Sequence, residues 1–509
     1  MRPIETLLLL VNLLAGLGLA VALPRAMHWL RHCAPLALLI AGTQTVAEGP
    51  RWQMMPAYAL SGLLVLCWLW RWRWLWLWLR RTPAWAPAAR GPSHRLAAAA
   101  ASGLGGLATV LAIALPKVFP VFGFPRPGGP YPIGTLTYHC IDATRLEAFG
   151  SPPQGRRELM VQVWYPAMAD PAAQRAPYLQ DADAVTQAFA RIHHKPPFMF
   201  GHFKYVGTHA IASAPVARAQ ADYPVLLFLA GVTGFRQMNT FQVEELVSQG
   251  YIVAAIDQPG AAAAVIFPDG RQTPGMTLAQ ARSRIGPSYL PGSSAPPMTG
   301  DALTGAGLIR YLADDANFTL DQLAAINRTD PNGILTGKLD LRRVGAFGVS
   351  LGGIVVAEAC HLTPRLKACL MMDAPMPTDV VTAGLRQPSL WITRDADSMR
   401  LERRRAGGWP EAEIQAHQTT LRSVYQSLPG AGYFVRVPGM FHSNFTDIPN
   451  WSPWASMMGL AGPINGQRAH DIVNAYAVAF FDRHLSDLPA RLPLPLLQYP
   501  EVLFESRRP

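Results

Sequence analysis

The chain has 509 residues, half of them apolar and only 15% charged, with a formal net charge of +11. An average soluble protein carries about 25% charged residues, so this composition excludes a disordered chain and argues against a wholly soluble one. Nor does the positive excess point to nucleic acid. Residues 1–126 hold 12 Lys and Arg against 2 Asp and Glu, which leaves +1 for the rest, and nine of the 14 Trp lie in that front.

The front, residues 1–117, reads as a membrane anchor. A spanning helix needs about 20 mostly apolar residues. Four stretches qualify to different degrees: about 6–23, 33–47, 56–72 and 96–115. The second is the weakest, being short and carrying Thr43, Gln44 and Thr45. The third runs into alternating Trp and Arg from Arg71 to Arg81, which suits an interfacial belt with snorkelling arginines. Arg71 to Arg95 holds six Arg and no acid, so that loop is expected in the cytoplasm. Four spans then leave the C-terminal bulk on the other side, periplasmic in a bacterial inner membrane. Three spans with a re-entrant piece are the rival. So is a signal peptide over 6–23 with Ala20-Val21-Ala22 as its cleavage site.

Of five cysteines, Cys33 and Cys67 belong to the front. Cys140, Cys360 and Cys369 are an odd set without CxxC spacing. They are read as small buried hydrophobes, with a Cys360–Cys369 bridge open only in an oxidising compartment.

Residues 118–132 form a linker rich in Pro, Gly and Phe, and 133–509 alternates strands with helices. Strands are predicted over Gly134–Ile141, Glu158–Tyr165, Pro224–Leu229, Tyr251–Asp257, Arg343–Phe347, Leu366–Met372, Pro388–Thr393 and Tyr433–Val437. Helices are predicted over Asn239–Gln249, Gly300–Ala313, Leu351–His361, Glu411–Leu428 and Arg468–Leu485. The central strands are unbroken Val/Ile/Leu/Ala runs, as in a parallel sheet buried on both faces. The expectation is a doubly wound, mostly parallel α/β sheet of the α/β-hydrolase type. The Pro-, Gly- and Ala-rich stretch 258–297 is too long for an ordinary connection and is expected to be a loop or lid.

Gly348-Val349-Ser350-Leu351-Gly352 has the form G-x-S-x-G between a buried strand and an apolar helix, the setting of a nucleophile elbow. Ser350 would project over the carboxyl edge of the sheet. The helix N-terminus, through the Leu351 N–H, would face a developing oxyanion. A serine hydroxyl needs a base and an orienting acid, here in the chain order Ser, acid, His. His417, His470 and His484 fall on predicted helices and are read as solvated. His442 follows a strand and Pro438-Gly439, where the base belongs. Asp373, Asp395 and Asp397 all end or follow strands, and spacing alone leaves the acid open.

Four segments resemble the platelet-activating factor acetylhydrolases, serine esterases that act as short-acyl phospholipases, and their bacterial relatives. They are Glu158–Tyr165 (ELMVQVWY), Gly231–Arg236 (GVTGFR), Gly348–Gly353 (GVSLGG) and His442–Asp447 (HSNFTD). In that family the acid follows the strand after the nucleophile helix, in a Leu-Asp-Ala context. Met372-Asp373-Ala374 occupies the matching place, so the resemblance implies Asp373, with Asp395 and Asp397 as alternatives. It also implies the Val232 N–H as the second oxyanion donor. Two features depart from the family: Ala230 stands where a His usually precedes the Gly, and the secreted animal enzymes lack the apolar front.

The expectation is a membrane-anchored serine hydrolase of short-acyl phospholipid or other lipid esters, needing neither metal nor cofactor and binding no nucleic acid. The alternatives are a catalytically silent ligand-binding or sensor protein of the same fold and an esterase for polyesters or lactones.

Overall fold

The computed structural model describes residues 1–20, 24–79, 92–149, 155–170, 172–290, 307–486, 488, 492, 494 and 498–507. Met1–Phe122 with Trp451–Pro453 make one compact unit, and Gly123–Asn450 with Trp454–Pro509 the other.

The first unit is built on α1 (Pro3–Ala20), α2 (Cys33–Ala47), α3 (Met55–Leu79) and α4 (Pro92–Val118), with a 3-10 turn, Arg25–His32, before α2. Small residues meet inside: Ala15, Ala34, Ala37, Ala41, Ala57 and Ala112 are buried. Leu7, Leu10, Leu17, Leu39, Leu63, Leu66, Leu104 and Leu107 point outward and are exposed. Polar groups inside are paired. Asn12 Nδ2 donates to the Ala57 carbonyl at 3.1 Å, and Ser61 Oγ donates to Asn12 Oδ1 at 2.9 Å. Arg51 donates to both Glu5 oxygens, at 2.7 and 2.8 Å. Among the described residues one helix, Trp52–Arg73, is long and apolar enough to cross a membrane, with mean hydropathy 1.3. Pro3–Leu19 and Gly103–Val118 are apolar but shorter.

Within the predicted loop from Arg71 to Arg95, the described residues 71–79 and 92–95 are helical. No Gly or Pro interrupts the chain between Gly62 and Pro83, and Trp, Leu and Arg all tolerate a helix, so α3 continues past Arg71 and Arg73 to Leu79. Residues 80–91, with Arg80, Arg81 and Arg90, lie outside the described residues, as do 21–23 of the first predicted span.

The second unit holds β1 (Ile133–Leu146), β2 (Arg156–Pro166), β3 (Arg175–Pro177), β4 (Gly207–Ala212), β5 (Tyr223–Leu229), β6 (Ile252–Asp257), β7 (Ala264–Ile266), β8 (Gln272–Pro274), β9 (Leu339–Val349), β10 (Leu366–Met372), β11 (Ser389–Thr393), β12 (Gly432–Arg436) and β13 (Leu503–Arg507). Eleven of them form one sheet in the order β13-β12-β11-β10-β9-β5-β6-β2-β1-β4-β3. The run from β12 to β6 is parallel throughout, and β2 and β13 join it antiparallel. Every residue of β5 and β6 is buried. Burying each Val, Leu, Ile or Phe side chain stabilises by about 1.5–3 kcal/mol. One face of the sheet packs against helices Gly307–Arg328, Leu351–Leu362 and Glu411–Ser427, the other against Thr240–Ser248 and Gly466–Leu485. This is an α/β-hydrolase-like sheet, with its parallel strands covered on both sides.

Three expectations need correction. Cys360 and Cys369 are joined in a disulfide across the turn between helix Leu351–Leu362 and β10, while Cys140 is free and buried. The odd count hid a local pair: nine residues that reverse the chain bring the two Cα atoms to 6.7 Å. His417 and His470 are buried and His484 is half-buried, so none is a solvated helix histidine. Each lies on the inner face of an amphipathic helix. Finally, the stretch 258–297 is not a loose lid. Gln258–Phe267 is buried, β7 pairs with β8, and Leu278–Ile285 is helical behind a Thr277 capping box. The Ala run of 261–264 is small enough to pack closely. Residues 291–297 lie outside the described residues.

Candidate active site

Strand β9 ends at Val349 and a helix begins at Leu351, so Ser350 alone makes the turn. Its backbone is in the left-handed region, with φ 58°. A non-glycine residue there costs of order 1–3 kcal/mol and persists only when its surroundings enforce it. Two glycines do so. A Cβ on Gly348 would come within 2.5 Å of the Gly352 backbone, and one on Gly352 within 1.9 Å of the Leu229 carbonyl oxygen. The Ser350 N–H donates to the Met372 carbonyl at 3.0 Å, which ties the turn to the end of β10.

The loop after β5 runs beside this serine. A Cβ on Gly231 would lie 3.2 Å from Ser350 Cβ. Val232 follows, then Thr233 with φ 62°. The Thr233 N–H donates to the Ala261 carbonyl at 2.7 Å, and His193 Nε2 lies 3.2 Å from Thr233 Oγ1. Leu351 opens its helix, so its N–H has no acceptor one turn back.

Asp373 follows β10 directly, is fully buried, and also has positive φ, 44°. His442 Nδ1 lies 2.5 Å from Asp373 Oδ2. The same oxygen accepts from Arg394 Nε at 2.8 Å, and Oδ1 accepts from Thr393 Oγ1 at 3.2 Å. Burial alone would raise this carboxyl. The Arg394 guanidinium, the His442 hydrogen bond and the nearby His417 together hold it far below the usual carboxylate range. Asp395 and Asp397 are not brought to His442. Asp395 caps the helix Ala396–Ala406 by accepting from the Ser398 N–H at 2.6 Å. The Asp397 side chain is 92% exposed and faces Arg400 at 3.0 Å.

Three neighbours escaped the sequence reading, and a fourth, His417, is read there as a solvated helix histidine. Arg394 is fully buried after β11; its guanidinium also meets Glu402 and stacks over Trp409 at 5.3 Å. Glu402 Oε1 accepts the His442 backbone N–H at 3.2 Å. The Trp409 ring is 5.3 Å from that of His442 and 5.2 Å from that of His417. His417 Nε2 sits 3.0 Å from Thr393 Oγ1, and burial pushes its imidazole down to about 4. A charged residue at the end of a buried strand was the one available signal for Arg394.

The fold and this turn define a protein of the α/β-hydrolase type, with a strained serine between a parallel strand and its helix. Comparison with known proteins narrows that class. Residues 118–273 match the family model of platelet-activating factor acetylhydrolase, isoform II. Curated relatives include the platelet-activating factor acetylhydrolases of Gallus gallus, 23% identical over 286 residues, and Cavia porcellus, 24% over 280. Each alignment covers 52% of this chain, with 62% and 58% of the relatives' own lengths. The chain thus spans about three fifths of those relatives. A solved ferulic acid esterase from Streptomyces cinnamoneus is 28% identical with a TM-score of 0.57, over 75% of this chain and 99% of that one. Over residues 118–273 the chain is similar to the platelet-activating factor acetylhydrolases. The family-matched stretch contains Val232 and ends before Ser350, Asp373 and His442.

Proposed function

We infer that this protein is a membrane-anchored serine hydrolase of carboxylic esters, acting on short-acyl phospholipids or other lipid esters. The observation that carries the reading is His442 Nδ1 at 2.5 Å from the buried Asp373 carboxylate, at the strand edge where Ser350 makes its strained turn. The similarity to platelet-activating factor acetylhydrolases supports the lipid ester as substrate class.

In this reading His442 Nε2 takes the proton of Ser350 as the hydroxyl attacks the ester carbonyl. Asp373 holds the imidazole with Nε2 free to accept and stabilises the imidazolium that forms. The N–H groups of Val232 and Leu351 meet the oxyanion. His442 then protonates the departing alcohol, and water, deprotonated by the same imidazole, releases the acyl group from Ser350. Every step uses groups of this chain alone.

Anchoring is supported by the first unit, where many leucines are exposed and several alanines pack inside with Leu8, Leu9, Leu60 and Leu64. That is an arrangement for a hydrocarbon solvent, with small residues at helix contacts. The disulfide supports a catalytic unit outside the cytoplasm, since cytosolic thiols are kept reduced. With the Arg-rich end retained in the cytoplasm, four crossings put Ser350 on the far side of the membrane.

A fluorophosphonate probe should label the wild-type chain and not Ser350→Ala, and hydrolysis of p-nitrophenyl acetate should fall on the order of 10³-fold or more. Labelling that survives the substitution removes Ser350 as nucleophile; no labelling of the wild type removes the hydrolase. Alkaline phosphatase fused after Arg126 should be active and after Arg81 inactive, and the reverse pattern returns the catalytic unit to the cytoplasm.

A further inference from the structure

Asp373, His442, Glu402 and Arg394 close a ring. Asp373 holds the His442 side chain through Nδ1 at 2.5 Å, and Glu402 holds the His442 backbone N–H at 3.2 Å. Arg394 joins the two acids, giving Nε to Asp373 at 2.8 Å and a terminal nitrogen to Glu402. His442 is therefore gripped by side chain and backbone through two carboxylates that share one guanidinium. That guanidinium is fully buried, and its other terminal nitrogen, also buried, has no hydrogen-bond partner among the described residues. An aspartate serving only to orient an imidazole needs no cation on the same oxygen. A buried arginine with a spare donor costs stability unless the charges around it are matched.

We propose that Arg394 and Glu402 are positioning residues that set, in opposite directions, how readily His442 takes up a proton. The proposal rests on the ester-hydrolase reading for its kinetic readout. Arg394 shares Asp373 Oδ2 with the imidazole and so offsets part of the carboxylate's pull on the imidazolium. Glu402 neutralises Arg394 in turn and fixes the histidine's main chain. The other groups facing His442 are fixed in charge or neutral in the working range. His417, from helix Glu411–Ser427, is held down to about 4 by burial. Asp373 is far below its usual range, and Trp409 contributes only its ring face.

The signs follow from charge. Removing the Arg394 cation makes the imidazolium easier to form, so the base is lost at a higher pH. Removing the Glu402 anion does the reverse. Charges at this separation interact strongly enough in a buried site to shift the profile by on the order of one pH unit.

The test is the pH dependence of kcat/KM on p-nitrophenyl acetate for the full chain in detergent, with active sites counted by the fluorophosphonate. Arg394→Met should move the acidic limb to higher pH by about one unit, and Glu402→Gln should move it to lower pH. Arg394→Lys should restore most of the wild-type limb. Unshifted limbs, or limbs shifted in the same direction, overturn the proposal, because a purely structural role lowers activity at every pH alike. If Arg394→Met does not fold, the directions for Glu402→Gln and Arg394→Lys still decide. If the wild type is not labelled at Ser350, the hydrolase reading fails by itself. The His442 ring titration, followed by NMR of ¹⁵N-histidine protein, then tests the same two opposite shifts without turnover.

Discussion

The two units of this chain distribute their side chains differently. In the C-terminal unit large apolar residues such as Trp164, Phe228 and Trp391 lie inside, and charges such as Arg271 and Asp397 face out. In the N-terminal unit Leu8, Leu9, Leu60 and Leu64 are buried beside small residues, while many other leucines stand exposed. Ala34, Ala37 and Ala57 are among those small residues, Leu39 and Leu66 are among the exposed leucines, and the ion pair Glu5–Arg51 is buried. Water outside makes burial of large side chains the driving force; lipid outside removes it and leaves close packing and internal hydrogen bonds. The C-terminal unit departs from this pattern at several places: the ion pairs Arg157–Asp315 and Arg236–Asp257 are buried, and so is the cluster of Asp373, Arg394 and His417. That cluster also holds His442, which sets it apart as the candidate site.

The strongest way to break the contrast is to attack that cluster. Asp373→Asn keeps the shape and leaves the His442 tautomer unfixed, so kcat on p-nitrophenyl acetate should fall about 10³–10⁴-fold. Asp395→Asn and Asp397→Asn should stay within about threefold, since one caps a surface helix and the other is exposed. A larger loss at either of the later two would move the acid to the following strand and undo the family-based assignment.

The next prediction targets the N-terminal unit. Leu66 is 63% exposed on α3, within the stretch long enough to span. If its surroundings are lipid, Leu66→Arg should cost about 2.5–3.5 kcal/mol in insertion. If they are water, the same substitution should lie within about 0.5 kcal/mol of neutral. Carbonate extraction of membranes bearing the variant separates the two. Unchanged retention and thermal stability would mean that this face does not meet hydrocarbon.

How far the sequence led follows from the same contrast. Strands β5, β6, β9 and β10 were legible because burial on both faces removes polar residues, and Leu366–Met372 was predicted to the residue. The serine turn was legible because Gly348 and Gly352 admit no Cβ. The short strands β3, β4, β7 and β8 were missed, being too brief to show a period, and so was β13 at the sheet's outer edge. Of the site, Asp373 needed a family resemblance to be preferred, because three aspartates end or follow neighbouring strands. Arg394 and Glu402 stayed invisible, and His417 reads as solvated although it is fully buried. Nothing in sequence spacing says that helices Ala396–Ala406 and Glu411–Ser427 turn these side chains back under His442.

Acid sharpens the contrast inside the C-terminal unit. His470 stacks on Phe241 with ring centres 3.7 Å apart, and burial lowers its imidazole to about 4. It stays neutral in the folded chain over a range where the unfolded chain, titrating near 6.5, is already protonated. The unfolded state therefore binds the extra proton, and stability is lost as pH falls from about 6.5 towards 4. The loss from this group is up to about 3 kcal/mol. Urea midpoints of wild type and His470→Gln should converge by that amount across the window. Parallel pH curves for the two would mean that His470 is not held neutral.

The smallest expected effect concerns the one covalent link between elements that carry the site. Cys360 lies in the last turn of the helix that begins at Leu351, next to Ser350, and Cys369 lies in β10, which leads to Asp373. Closing a loop of about ten residues removes enough chain entropy to stabilise by about 2–3 kcal/mol. Both cysteines are buried, so their replacement also removes packed sulfur at the base of the sheet. Cys360→Ala with Cys369→Ala should therefore lower the unfolding free energy by about that amount and leave the pH profile of kcat/KM in place, because no titrating group near His442 changes. The same bond reads out the compartment. Protein isolated under thiol-blocking conditions should carry two maleimides fewer than the reduced chain, one for each cysteine of this pair. If Cys360 and Cys369 are both alkylated without reduction, the C-terminal unit has matured in a reducing compartment. That result would overturn the proposed placement of Ser350 outside the cytoplasm.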